Sequence, residues 1–516
     1  MRTTFLAVAF VGWLSACPGY KNVQCLENGH CDNGAGGVCV AAATGNTWCA
    51  YPDPACSSGY RYSDVDTGDG VAGVCVADDS LGDGGVDGPP PPGSWGKHIP
   101  GPGFESVGAI AVAGDGSVFI TGTFDETLDL GGGPLNAGGT PDIFLAKFTA
   151  DGAHVWSQQF SGGGDSGGTK LSVLSNGDLA LGGNFTGSLV FGATTLNSAG
   201  MNDVFVARLS GTGNPIWAHS GGTAQADELY DLSVDELDNI AVCGRLDGAG
   251  TFFGANLNGS YSAWVARLTN AGDHSWSRVF GSPSTGDHCG VASMMGGDVV
   301  VAGEFNGTLN AGGSAMTSSG ATLDMFVARY VGASGAHVWS APKGTAGQDS
   351  VGDVEPSGTS IVTTGRFSGT TTFGGADLVS AGGDDAFVAK FDASTGAHQF
   401  STRIGGTSQD SGQHLSIRSD GQISVAGLFA GTVNFEGTTL TSNGDFDPFV
   451  IDLDGASLVG LSVKSVGGVS RDEAYDVAST STTLLFAGSF ASSITVIGQT
   501  YTSMGFLDGY LVRYKR

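Results

Sequence analysis

Seven acidic residues return at one place in a repeating chain: Glu105, Asp165, Asp227, Asp287, Asp349, Asp410 and Asp472. Carboxylates gathered on a ring could hold a cation or a basic ligand at a negatively charged mouth. A carboxylate just ahead of a strand can also accept main-chain N–H groups within its own turn. Even repetition favours this plainer role, because a site breaks symmetry. A second series, Asp142, Asp203, Asp324, Asp385, Asp447 and Asp508, invites the same explanation. His154, His274, His337 and His398 each stand two residues before a large anchor residue, a mark of geometry and not of catalysis. His288 beside Asp287 is the pair that could share a proton in acid–base work. No G-x-S-x-G, H-E-x-x-H or P-loop is present, so no catalytic residue is assigned. Asp64, Asp66 and Asp69 in "DVDTGDG" sketch a calcium loop, the one cofactor suggested. An EF-hand needs a ligand where Gly68 stands and a glutamate where Cys75 stands.

Cysteines carry the other chemistry. Cys25, Cys31, Cys39, Cys49, Cys56 and Cys75 crowd one short segment. In an exported chain an even set like this staples a module too small to hold a core. The pairing is left open, and the absence of a C-x2-C pair argues against a metal site. Cys243 and Cys289 fall at the ends of neighbouring strands that point to one face, which makes them candidates for a disulfide, with two buried thiols as the alternative.

Export is read from the first residues. Arg2 precedes "FLAVAFVGWL" (Phe5–Leu14), an apolar run too short to span a bilayer and remain in it. The following "LSAC" (Leu14–Cys17) resembles the bacterial lipobox. That resemblance implies cleavage before Cys17 and lipid modification of it, with anchoring at a membrane. Pro18 in place of an aspartate makes the outer membrane the expected one, with the chain facing periplasm or medium. The expected order is a signal peptide over 1–16, Cys17 and a cysteine-rich module to 77, an acidic Gly/Pro linker over 78–93, and a repeat domain over 94–516.

With 21 Lys and Arg against 50 Asp and Glu, the formal charge is -29. Such a chain has no footprint for nucleic acid. The 89 glycines follow no collagen period and instead punctuate short β-branched runs.

These elements must come from the repeat. Anchors recur at Trp95, Trp156, Trp217, Trp276, Trp339, Phe400 and Leu461, with spacings of 61, 61, 59, 63, 61 and 61. Two marks keep step with them. One is Gly-x-aromatic or Leu, as in Gly122/Phe124 and Gly365/Phe367. The other is the second acidic series, with an aromatic two residues on, as in Asp385/Phe387; the third copy has Ser262/Trp264. Each copy holds four strand-like runs, here termed a to d. Asp115-Gly116, Asn176-Gly177 and Asp420-Gly421 predict tight a–b turns, and Asp151-Gly152 and Asp454-Gly455 predict c–d turns. Four antiparallel strands, seven times over, form a β-propeller pattern. The last copy stops after run c, and "SWGKHIP" (Ser94–Pro100) supplies its missing run d. The fold expected is an all-β, seven-bladed propeller closed by its N-terminal strand, preceded by the disulfide-rich module.

On the "G-x-F" and "D-x-F-V-A-K/R" marks and the acid that opens run a, residues 94–516 resemble the bacterial SBBP-type β-propeller repeat. The resemblance implies strands a around a central channel and brings no catalytic residue with it. The function expected is a lipid-anchored envelope scaffold, a monomeric ring offering one face to a protein or glycan partner. The alternative is an enzyme acting on an extracellular polymer, a polysaccharide hydrolase or lyase, built on uneven loops of the third and fourth copies.

Overall fold

The computed structural model describes residues 38–41, 47–52, 60–62, 91, 93–281, 284–319, 322–345, 347–435 and 438–516. They belong to two compact units, a small N-terminal one and a large one that includes Gly93–Arg516. Cys17, Cys25, Cys31, Cys56, Cys75, Asp64, Asp66 and Asp69 lie outside the described residues, as do the side chains of Cys39 and Asp287. In the small unit, Val38–Ala41, Thr47–Pro52 and Tyr60–Tyr62 form a three-stranded sheet. Cys49 is buried there and disulfide-bonded.

Among the described residues every regular element is a strand. The large unit repeats one antiparallel motif. In the second copy Ser166–Val173 (a) pairs Leu179–Phe185 (b), which pairs Asp203–Leu209 (c), which pairs Pro215–Gly222 (d). The other a strands are Glu105–Val112, Glu228–Val234, Ser284–Ser293, Asp349–Ser357, Asp410–Ile417 and Asp472–Ser479. Strands b and c are apolar on both faces, as in Val118–Phe124 and Asp142–Phe148. Neighbouring copies cover both faces, and the core lies between them: Leu145 and Phe119 of the first copy share a cluster with Leu181 and Phe205 of the second.

In the last copy Trp95–Ile99 pairs Asp508–Lys515, with Trp95 opposite Arg513 and Ile99 opposite Gly509. Ile110 N–H donates to Asp476 Oδ2 at 2.8 Å, joining the first a strand to the last. Trp95 Nε1 donates to Ala150 O of the first copy at 3.0 Å. The same bracket links later neighbours: Trp217 to Asn270 O, Trp276 to Gly332 O and Trp339 to Ala393 O.

The glycine and aromatic marks prove to be one device. A Cβ on Gly365 would lie 1.9 Å from Ser350 O and 2.9 Å from the Phe387 ring. Strand a bulges where it passes this glycine, between Val351 and Asp353, and the c-strand aromatic lies against the bare backbone. Gly116, Gly177 and Gly421 take positive φ in the a–b turns, and Gly152 does so in a c–d turn. Asp454-Gly455 departs from expectation. The left-handed residue of that turn is Leu458, at φ 57°. Gly455 serves close approach instead, since a Cβ there would meet Gly421 O at 1.7 Å. The b–c joints also differ from plain loops. In the second copy Ser188–Phe191 and Thr194–Asn197 form a small hairpin, and in the third copy b and c run on as Ile240–Phe252 and Ala255–Leu268.

Cys243 and Cys289 are joined by a disulfide between the third and fourth copies, 46 residues apart. Both are buried. Replacing both by Ala is expected to lower stability by up to about 4 kcal/mol, through lost loop constraint. Urea midpoints with and without reductant check this, and the double variant should no longer respond to reduction at this site.

Candidate functional site

Strand order puts the start of a, the end of b, the start of c and the end of d on one face, so the b–c and d–a connections share it. The acids at the start of a lie just beneath. Asp227 accepts Thr223 N–H at 2.5 Å and Asp247 N–H at 3.1 Å. Asp349, Asp410 and Asp472 accept the N–H four residues back, from Thr345, Gly406 and Gly468. These four carboxylates are buried and each gives at least one oxygen to its own turn; Asp349 Oδ1 and Asp472 Oδ1 meet no hydrogen-bond partner, and of the four only Asp410 lines the cavity that the a strands surround. Asp165 is exposed, and Ser166 takes the buried place opposite Phe185. The second series caps the b–c connection in the same manner: Asp203 accepts from Ala199 N–H, Asp385 from Ala381 N–H and Asp447 from Asn443 N–H. His337 and His398 bond Ser340 and Ser401 on their own d strands.

Glu105 breaks the pattern. Its carboxyl lies against the backbone of Gly101, four residues back. It is fully buried with neither oxygen hydrogen-bonded. Burial, then the charge of Asp508, raises its pKa from 4.5 to about 8. Burial likewise raises Asp349 and Asp472 to about 7 and Asp410 to about 6. Folded-state values above unfolded ones mean stability that is full below the unfolded pKa and lost as pH rises through the folded one. The protein is therefore expected to be more stable at pH 5 than at pH 8. Glu105→Gln should flatten the part of that slope between about 4.5 and 8. Glu105→Asp should regain the turn bond and raise the pH 8 stability by about 1 kcal/mol. Urea midpoints across that range check both.

The a strands surround a cavity of about 730 Å³ that opens on the loop-bearing face. Most of the residues lining it were not singled out from sequence. On strand a the lining position is the one left unpaired at the bulge, held by Gly108, Thr169, Tyr230, Gly352, Gln413 and Tyr475, and the next position reaches the cavity at Lys170 and His414 while it carries Asp231, Asp353 and Asp476 in other copies. Unlike the acid ring, these positions differ from copy to copy, and that variation within a fixed period was the available signal. Asp231, Asp353 and Asp476 each give Oδ2 to an N–H of the next a strand, from Val291, Leu415 and Ile110. Lys170 Nζ lies 3.6 Å from Asp231 Oδ1. Burial holds the His414 imidazole well below its ordinary pKa, so it is neutral. His288 reaches the cavity stacked on Tyr230, with ring centroids 5.5 Å apart. Among the described residues no group of three or more His, Cys, Asp or Glu is arranged to hold a metal.

Solved structures similar to this chain are β-propellers. The Neurospora crassa Pan2 WD40 domain is 10% identical, over 79% of this chain and 88% of that one, at a TM-score of 0.38. The β-propeller domain of the Trilobed protease from Pyrococcus furiosus is 8% identical, over 81% and 94%, at 0.41. BamB from Moraxella catarrhalis is 11% identical, over 81% and 97%, at 0.33. No protein-family model matches the chain, and no curated protein does.

Proposed function

We propose that the repeats are the blades of a closed seven-bladed propeller that acts as a binding scaffold, tethered to the cell envelope through a lipidated Cys17 and offering its loop-bearing face to a partner. The closing pairs at Trp95–Ile99 and the bond from Ile110 to Asp476 support the ring. The tether rests on the leader and lipobox residues of the sequence.

One observation carries the binding role: an apolar arc on one side of the mouth. Val469 is 69% exposed, Met504 69% and Phe506 85%. All three stand on the connections of the last copy. Phe506 N–H bonds Gly103 O, which sets it beside Phe104 of the first copy. Phe446 of the sixth copy lies under the Arg471 guanidinium. Exposed apolar groups grouped in this way mark an interaction surface.

The test is capture from envelope extract by the full chain and by a Val469→Ser/Met504→Ser/Phe506→Ser variant. A partner retained by the first and lost by the second supports the scaffold. Equal capture by both overturns it. So does turnover of a polysaccharide that a single face substitution abolishes.

A further inference from the structure

The cavity behind the mouth has the size of a ligand pocket, about 730 Å³. Its walls say what would fill it. Aromatic rings stand on several sides: Phe104 from the first copy, Tyr230 from the third, Phe446 from the sixth and Tyr475 from the seventh. Between them the lining is glycine backbone, hydroxyls and amides, as at Gly168, Ser411 and Gln409. Two polar atoms on the wall, Thr169 Oγ1 and Gln413 Oε1, are buried without a hydrogen-bond partner in the protein. Buried polar atoms normally have one.

The charged groups on the wall do not ask for an ionic ligand. Arg471 pairs with Glu473 at 2.5 Å, Arg366 with Asp384 at 3.5 Å and Lys170 with Asp231 at 3.6 Å. Asp410 already accepts the N–H of Gly406 and of Ala430. A charged ligand would lose its water and meet groups whose charge is already answered. A neutral ligand with many hydroxyls pays no such penalty. Its hydroxyls can donate to Gln413 and exchange bonds with Thr169, and its C–H faces can lie on electron-rich rings.

We propose that this cavity is a saccharide-binding site that takes a short run of neutral, hydroxyl-rich sugar rings, stacked against Tyr475 and Tyr230 and hydrogen-bonded to Gln413 and Thr169. The proposal names the ligand class for the mouth of the scaffold and rests on that reading.

Calorimetric titration of the full chain decides it. The probes are maltotriose, cellotriose and tri-N-acetylchitotriose, with trigalacturonate and spermidine as anionic and cationic counterparts. At least one neutral trisaccharide is expected to bind with Kd below about 1 mM. Tyr475→Ala should weaken it about tenfold or more, and Tyr475→Phe should retain most of it, because the ring face carries the contact. Gln413→Leu should weaken it with an unchanged unfolding midpoint, which separates ligand loss from misfolding. The proposal is overturned if no neutral probe binds, if Tyr475→Ala binds as well as the parent, or if trigalacturonate or spermidine binds more tightly. Sugar binding that fails while capture dependent on Met504 and Phe506 persists removes this ligand class alone. Capture that fails while sugar binding persists removes the protein-partner scaffold alone.

Discussion

Deleting residues 94–100 is expected to abolish the single cooperative unfolding transition of the large unit and to leave an aggregating chain. The loss begins with an edge. Asp508–Lys515 would have no neighbour beyond it, and an exposed edge strand of apolar residues recruits other chains. Ile99, fully buried, would leave the core, and the Trp95 bond to Ala150 O would go. The His98 contact with Asp508 Oδ2, at 2.6 Å, goes as well. Five ladder pairs and this burial together amount to more than about 5 kcal/mol. Calorimetry on the truncated chain makes the measurement. Appending the same seven residues after Arg516 through a flexible linker should restore the transition, because only the place of the strand matters and not its order in the chain. A truncated chain that melts like the parent would remove the case for closure.

Gly365→Ala is expected to cost about 3 kcal/mol, far above the ordinary price of a methyl group. The new Cβ would stand 1.9 Å from a carbonyl oxygen of the neighbouring strand, and backbone in a ladder cannot yield as a side chain can. Phe387→Leu in the same chain should not rescue it, since the ring is the lesser obstacle. Gly177→Ala is the control. Gly177 has φ 84° and open space around its would-be Cβ, so only conformational strain is paid, about 1 kcal/mol. Urea unfolding of the three variants gives the ranking; equal costs for Gly365→Ala and Gly177→Ala would refute the close-approach account.

Much of the architecture was open to reading because the period is strict. Anchors, glycines and acids in step give four strands per copy, and the half-finished last copy points to Trp95. What the marks do physically was less open. Gly365 and Phe387 are 22 residues apart, and only the folded sheet shows that one exists for the other. The turn at Asp454-Gly455 misled because local preference met a tertiary demand: Gly421 O needs the space, and Leu458 takes the strained φ. The acid ring drew attention by its regularity, yet Asp410 and Asp472 each turn an oxygen to their own loop. The cavity wall escaped notice for the opposite reason. Thr169, Tyr230, Gln413 and Tyr475 share the bulge position but hardly a residue type, so a comparison that rewards sameness passes over them.

The strand that completes the last sheet is also the first part of the large unit to feel any pull along the chain from its N-terminal side. Trp95 lies opposite Arg513, at the end remote from the mouth, while Ile99 lies opposite Gly509 beside it. A load between residues before Trp95 and something gripped at the mouth therefore runs along the strand axis. It strains all five pairs together, in shear. A load between the same residues and Arg516 would instead peel the pairs one at a time, starting at Trp95. The large unit is mechanically stiff under the first load and weak under the second.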